Sequence, residues 1–240
     1  MKGCHFKMNT YAQKQIIPET DAHMTQRIMY GEIALIVAVC INSFAVVLML
    51  YSGAGISAIS SVPYAFSEVF PKLSLGTWTY IFQGLLVLTL MILRKKFIPQ
   101  YLCSFIVGFF FGKLLDVHEL WINILPTGIG YHILYFVISY ILICIGIALS
   151  NRCGLPIVPT DLFPRELSQI IKKKYSVVKI SFDVICLLTT ACMTGIFLGH
   201  IKGLGIGTIL AAFTMGKGIA IAGQIIDKRM IFVTYLSRKK

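Results

Sequence analysis

Charged residues are scarce in this 240-residue chain: only 13% of its residues are charged, and 57% are hydrophobic. A soluble domain does not carry that much apolar sequence in long runs. Crossing the hydrocarbon core of a bilayer takes roughly 20 mostly apolar residues. Six segments meet that requirement, and we expect membrane spans at about 33–52, 77–93, 99–116, 128–150, 177–199 and 203–223.

Motifs for catalysis and metal binding are also lacking. The seven cysteines form no C-x-x-C pair and show no His/Cys metal spacing, and most of them lie in apolar segments. The sequence has no G-x-S-x-G, no H-E-x-x-H and no paired catalytic carboxylates, which nucleophilic or metal-dependent catalysis would need. We therefore expect no enzyme activity, no metal and no cofactor.

Acidic residues are few: 10 stand against 22 Lys and Arg, which gives a net charge of +12. On a six-span topology with the N-terminus inside, 18 of the 22 basic residues fall on the inner side. Two fall on the outer side (Lys72 and Lys202) and two within spans (Lys113 and Lys217). This asymmetry follows the positive-inside rule, so we expect both termini to be cytoplasmic. The charge indicates a lipid bilayer as partner and requires no nucleic acid.

The chain begins with a polar stretch, and its first apolar run starts only at Ile33. That run is too long for the core of a cleavable signal peptide, so it is expected to be retained as the first span. We expect a cytoplasmic N-terminal extension over residues 1–30, a membrane domain over 31–225 and a basic cytoplasmic tail over 226–240.

The membrane domain carries an internal repeat, with one copy over residues 31–120 and the other over 128–225. Matching pairs in the two copies are Phe82-Gln83 and Phe182-Asp183, Leu88-Thr89 and Leu188-Thr189, Val62-Pro63 and Val158-Pro159, and Gly112-Lys113 and Gly216-Lys217. Three spans in each copy would orient the copies oppositely, which is the inverted repeat of many secondary transporters. We expect an all-α fold of six transmembrane helices in two inverted three-helix repeats.

An irregular segment with glycine and proline follows the first span and another follows the fourth, over residues 53–70 and 153–170. Non-helical backbone cannot face lipid, because unpaired amides there cost several kcal/mol each. Each segment is therefore either an interfacial loop with a short helix or a segment that enters the protein and lines a cavity. In the second case the candidate binding residues are Ser60, Ser61, Tyr64, Thr160 and Asp161.

Ionisable residues within spans are expensive and are by default functional candidates. Lys113 and Lys217 each follow a glycine near the end of a span. The alternatives are an ion pair of Lys113 with Asp116 and, for Lys217, a side chain that reaches the headgroups. Asp183 lies deep in the fifth span, and Gln83 is its counterpart. Asp183 would either exchange a proton with a solute pathway or form a salt bridge with Lys179, one turn earlier.

Three motifs together resemble the bacterial YczE/YyaS/YitT group of membrane proteins over residues 30–225. They are Gly-x-Gly-Ile-Ser-Ala-Ile-Ser-Ser-Val-Pro, Leu-Pro-Ile-Val-Pro-Thr-Asp-Leu-Phe and Gly-Leu-Gly-Ile-Gly-Thr. Many members read Gly-Leu-x-Pro-Trp-Asp at the second motif, whereas residues 155–161 keep a proline and Asp161 but lack the Trp. The resemblance implies a six-span, permease-like protein of the bacterial cytoplasmic membrane without a settled substrate.

Two functions remain open on these observations. The first is a secondary transporter or permease for a small solute, bound where the two repeats meet; the lysines favour an anionic group, and Asp183 favours a cation or a proton. The second is a non-transporting membrane protein that acts as a partner-binding or assembly subunit. Either function is compatible with a homo-oligomer or with a separate partner subunit.

Overall fold

The computed structural model of the protein describes residues 27–234, so most of the predicted N-terminal extension and the end of the basic tail lie outside the described residues. Within that range the chain forms eight α-helices. They are α1 (Gly31–Tyr51), α2 (Ala58–Val69), α3 (Leu75–Arg94), α4 (Pro99–Trp121), α5 (Ile129–Arg152), α6 (Pro159–Ile170), α7 (Tyr175–Leu198) and α8 (Ile206–Arg229).

Six of these helices are long and apolar enough to cross a membrane, namely α1, α3, α4, α5, α7 and α8. Each coincides with a span expected from the sequence, so the all-α fold with six spans is confirmed and the chain is a multi-pass membrane protein. The helices follow the order long, short, long, long, and then repeat it. We call α1–α4 the first half and α5–α8 the second half.

The first long helix of each half is stopped in the same way. A glycine with a left-handed backbone follows each helix end, Gly53 at φ 69° after α1 and Gly154 at φ 71° after α5. Only glycine adopts this conformation without steric cost. The chain can therefore turn sharply, and each short helix starts within a few residues of the stop.

The helices of the two halves are interleaved. Helices α1 and α5 pack against each other at the centre, α4 packs on α1 and α8 on α5. The short helices cross between halves, because α2 packs on α7 and α6 packs on α3. Two short parallel strands, β1 (Arg27–Tyr30) and β2 (Met230–Val233), pair beside the start of α1 and the end of α8.

Candidate functional site: a polar cavity between two short helices

Helix α2 lies alongside the C-terminal part of α7, from the middle of α7 to its last turn. Ile59, near the start of α2, clusters with Cys186, the twelfth of the 24 residues of α7. The Phe70 ring, just after α2, lies 6.2 Å from the Phe197 ring near the end of α7. Helix α2 therefore begins deep in the bundle and ends at the surface that carries the turn between α7 and α8, which we call the α7–α8 end.

Helix α6 shows the same arrangement at the opposite end. Pro159, its first residue, lies beside Gly108 in the middle of α4, because a Cβ on that glycine would come within 3.1 Å of the proline ring. Glu166, farther along α6, accepts hydrogen bonds from Arg94 (2.6 Å) and from the Tyr101 hydroxyl (2.8 Å). Those two residues flank the turn between α3 and α4, so α6 ends at the α3–α4 end.

The first residues of both short helices line one cavity. Of the two arrangements that the sequence left open, the structure therefore shows the one in which the irregular segments enter the protein. The centres of water molecules can occupy about 40 Å³ of the cavity. That is room for roughly three waters. Its polar lining residues are Asn42, Ser57, Ser60, Thr160, Asp161, Lys179 and Asp183.

Helix α7 brings a buried ion pair to the cavity wall. The Lys179 ammonium donates to both carboxylate oxygens of Asp183, at 2.7 and 2.6 Å. Only 4% of Lys179 and 1% of Asp183 are exposed. The salt bridge that the four-residue spacing indicated is thus confirmed. Two of the three ammonium protons bind Asp183, so the third can serve a ligand.

Asp161 contributes a second carboxylate, in the first turn of α6. Asp161 is 9% exposed, and its side chain makes no hydrogen bond or ion pair with the described residues. Burial raises its pKa to about 6, although the charges of Lys179 and Arg165 oppose the rise. At a pH near neutrality this group therefore stands close to its titration range and can take up or release a proton.

Asn42 is the cavity residue that the sequence prediction missed. It lies in the middle of α1, is 4% exposed, and its Oδ1 has no hydrogen-bond partner among the described residues. Its amide fills a space left by Gly146 on α5, where an added Cβ would meet Oδ1 at 2.1 Å. A lone amide in the most apolar of the six spans is the signal that could have found it.

Of the serine, threonine and tyrosine residues predicted to bind a ligand, some line the cavity and others do not. Ser60 and Thr160 line the cavity, and the Ser57 hydroxyl donates to the Ser60 oxygen over 2.9 Å. Ser61 points elsewhere and forms a buried hydrogen bond of 2.8 Å with Thr190 on α7. Tyr64 also lies off the cavity, where its ring packs against Gly203 in the turn between α7 and α8.

Gln83 lies close to the cavity wall without lining it. It is the ninth residue of α3, as Asp183 is the ninth residue of α7. Both its Oε1 and its Nε2 are buried and have no hydrogen-bond partner among the described residues. An added Cβ on Gly108 would come within 1.9 Å of Oε1. The amide is thus held beside the first residue of α6.

The structure does not bring Lys113 and Lys217 to this cavity; both lie on the exposed surface of the bundle. Each is two residues beyond a cavity-lining residue, Phe111 on α4 or Met215 on α8, and two residues turn a helix by about 200°. The Lys113 ammonium lies 5.8 Å from the centre of the Phe109 ring. Asp116 accepts hydrogen bonds from the Ser74 hydroxyl and the Gly76 amide in place of an ion pair with Lys113.

Comparison with known proteins identifies a family whose function is unknown. No curated protein and no solved structure matches the chain. A family model described as a family of unknown function (DUF6198) matches residues 29–224, which span all eight helices apart from the last turn of α8. The chain belongs to this family, DUF6198.

Proposed function

We propose that the protein is a secondary transporter or permease for a small solute, and that the cavity between α2 and α6 is its binding site. One observation carries the proposal: two short helices enter the bundle from opposite ends, and their N-terminal residues meet at one polar cavity. Interrupted segments in matching positions of two inverted repeats form the substrate sites of many transporters.

The inverted repeat is part of this proposal, and helix positions support it. Gln83 and Asp183 share the ninth position of α3 and α7, and Pro63 and Pro164 share the sixth position of α2 and α6. By helix position Pro63 therefore matches Pro164, five residues later than the Val-Pro match of the sequence. Three spans per half reverse the orientation of the second half relative to the first. We place the protein in the bacterial cytoplasmic membrane with both termini inside, as the basic residues indicate.

Two ion-pair clusters would act as gates at the two ends. Glu166 of α6 binds Arg94 and Tyr101 of the first half, and Glu68 of α2 is paired with Lys202 of the second half. Each cluster thus ties a short helix of one half to the other half. We propose that one cluster opens while the other stays closed, so that the cavity faces one side of the membrane at a time.

The test is solute flux into vesicles that contain the purified full chain. Stopped-flow light scattering would compare potassium chloride, potassium formate, urea and glycerol in protein-containing and protein-free vesicles. We expect faster flux of at least one solute with protein. Ala211 lines the cavity on α8 and Ala220 is exposed on the same helix. Ala211→Leu should reduce that flux about 10-fold or more, and Ala220→Leu should leave it unchanged.

Flux at the protein-free rate for every solute would contradict the proposal and favour the partner-binding subunit that the sequence also allowed. Flux that is insensitive to Ala211→Leu, in a variant that keeps its unfolding temperature, would contradict the assignment of the cavity as the pathway.

A further inference from the structure

We infer that the cavity binds a small monovalent anion together with one proton, and that Asp161 carries the proton. This inference rests on the proposed function and names the substrate class of the same site. It uses the direction in which the short helices point, one buried carboxyl group without a partner among the described residues, and the size of the cavity.

The short helices present donors to the cavity. The amides of Ala58, Ile59 and Ser60 lie in the first turn of α2, before the first intrahelical bond that Ser61 donates to Ser57. Such amides have no acceptor within the helix and point out of its N-terminus, whereas the carbonyls point the other way. The amide of Thr160 on α6 has the same position. Helix N-termini of this kind attract anions.

Side chains add donors of the same kind. The Ser60 hydroxyl accepts a hydrogen bond from Ser57, so its own proton is available to a ligand. The third proton of the Lys179 ammonium is likewise free of Asp183. Because Lys179 and Asp183 neutralise each other, the fixed charge left in the cavity is that of the two helix N-termini and of Asp161.

One buried side chain independently indicates a ligand. Asp161 lines the cavity, is nine-tenths buried and makes no polar contact among the described residues. Asn42 also lines the cavity, but its unpaired Oδ1 faces Gly146 and, as an acceptor, would not bind an anion. Buried polar groups are otherwise almost always paired. A ligand that accepts hydrogen bonds would satisfy the donors of the cavity. A proton that binds to Asp161 together with this ligand would neutralise the buried carboxylate.

The protonation of Asp161 decides whether an anion can enter. An ionised Asp161 repels an anion and balances the helix N-termini, while a protonated Asp161 leaves the cavity net positive and adds an O–H donor. The charged or titratable groups that act on Asp161 are Lys179 and Asp183, Arg165 on its own helix, and Tyr175 at the start of α7. Asp183 offsets only part of the effect of Lys179 on Asp161. A proton on Asp161 removes the charge that would repel an anion, so the anion and the proton bind together.

The size of the cavity restricts the anion. Space for roughly three waters admits chloride or formate and excludes larger carboxylates such as gluconate. A backbone-coordinated cation is disfavoured, because the carbonyls of both short helices point away from the cavity.

The test measures binding to the detergent-solubilised full chain and so does not depend on transport. Unfolding temperature would be titrated with potassium chloride and potassium formate at constant ionic strength, with potassium gluconate as the balancing salt, near pH 5 and near pH 7.5. If the anion binds only when Asp161 is protonated, and the pKa of Asp161 is about 6, its apparent affinity should be about 30-fold higher at the lower pH. Asp161→Asn should bind the anion at both pH values with little difference between them.

Ser60→Ala should weaken binding about 10-fold at low pH, and Ser67→Ala, in the same helix but outside the cavity lining, should not. Affinity that is independent of pH, loss of binding in Asp161→Asn, or stabilisation that follows the cation when sodium or choline replaces potassium would each overturn the anion site. Anion binding without flux of any solute would retain the site and contradict the transporter. Flux of urea or glycerol without anion binding would retain the transporter and contradict the anion.

Discussion

Lys179 and Asp183 form an ion pair within one turn of α7, in which the ammonium contacts both carboxylate oxygens at 2.7 and 2.6 Å. Gln83 is the ninth residue of α3, as Asp183 is of α7, and its amide has no hydrogen-bond partner among the described residues. The two halves therefore share the order of long and short helices but differ in charge at this helix position. That asymmetry gives the cavity one charged wall, formed by α7.

Removing either partner of this pair should be strongly destabilising. Asp183→Asn or Lys179→Met leaves an uncompensated buried charge, at a cost of about 3–5 kcal/mol. The double variant should recover most of that loss, because no charge is left without a partner. Denaturant unfolding in detergent would measure the cycle. Lys217→Met, which removes an exposed lysine from a span, should change the free energy of unfolding by less than about 0.5 kcal/mol. Additive losses in the double variant would contradict the coupling.

Gly146 should be intolerant of even one added methyl group. The Cβ of Gly146→Ala would lie 2.1 Å from Asn42 Oδ1, and overpacking of this kind costs about 1–3 kcal/mol. Combination with Asn42→Ala removes the obstructing amide and should restore stability. Gly216→Ala is the matched control, because nothing lies within 4 Å of its added Cβ. The control should gain up to about 1 kcal/mol, as a helical glycine replaced by alanine does. Failure of the Asn42→Ala rescue would mean that Gly146 has another role.

Asp161 should make stability depend on pH. Its pKa is raised from 3.8 to about 6 by burial, so the native state holds the proton more tightly than the unfolded chain does. Stability is then greatest below about pH 4 and falls as the pH rises to about 6, with a total loss of roughly 3 kcal/mol. In Asp161→Asn this slope should disappear, and the variant should be more stable than the parent near pH 7. Unfolding curves from pH 4 to pH 8 would measure the effect.

Asp227→Asn is the control for that series, since Asp227 is an exposed carboxylate outside the cavity lining. It should retain the slope. Equal slopes in Asp161→Asn and in the parent would assign the pH dependence to another group.

The sequence predicted the membrane helices closely because span length and hydrophobicity are local properties. It also gave the Lys179–Asp183 pair as one of two alternatives for Asp183, since a four-residue spacing places two side chains on one helix face. It selected Lys113 and Lys217, which lie outside the cavity lining, because a matching position in two copies does not reveal which face of the helix is buried. The lone amide of Asn42 could be recognised in the sequence, but its place beside Gly146, more than 100 residues away, could not. Contacts between the two halves cannot be read from local sequence patterns and become visible only in the folded structure.

The two ion-pair clusters lead to a prediction about access to the cavity. The Ser60→Cys variant, in a background whose seven native cysteines are replaced, places a thiol at the cavity wall. Glu166→Gln weakens the bonds from Arg94 and Tyr101 and should increase labelling by a membrane-impermeant thiol reagent from the cytoplasmic side. Glu68→Gln weakens the bond from Lys202 and should increase labelling from the outer side. A charged hydrogen bond worth about 1.4 kcal/mol predicts an increase of about 10-fold in each case.

The side from which each variant is labelled is the informative result. Intact cells expose the outer face and inverted vesicles expose the cytoplasmic face, so the two preparations report the two gates separately. Asp227→Asn removes an acidic residue that pairs with Arg152, outside both clusters, and should leave both rates unchanged. If either variant increased labelling from both sides, the clusters would stabilise the fold generally and would not gate it. If Glu166→Gln increased labelling only from outside, the proposed orientation of the chain would be reversed, because α6 would then end at the outer face.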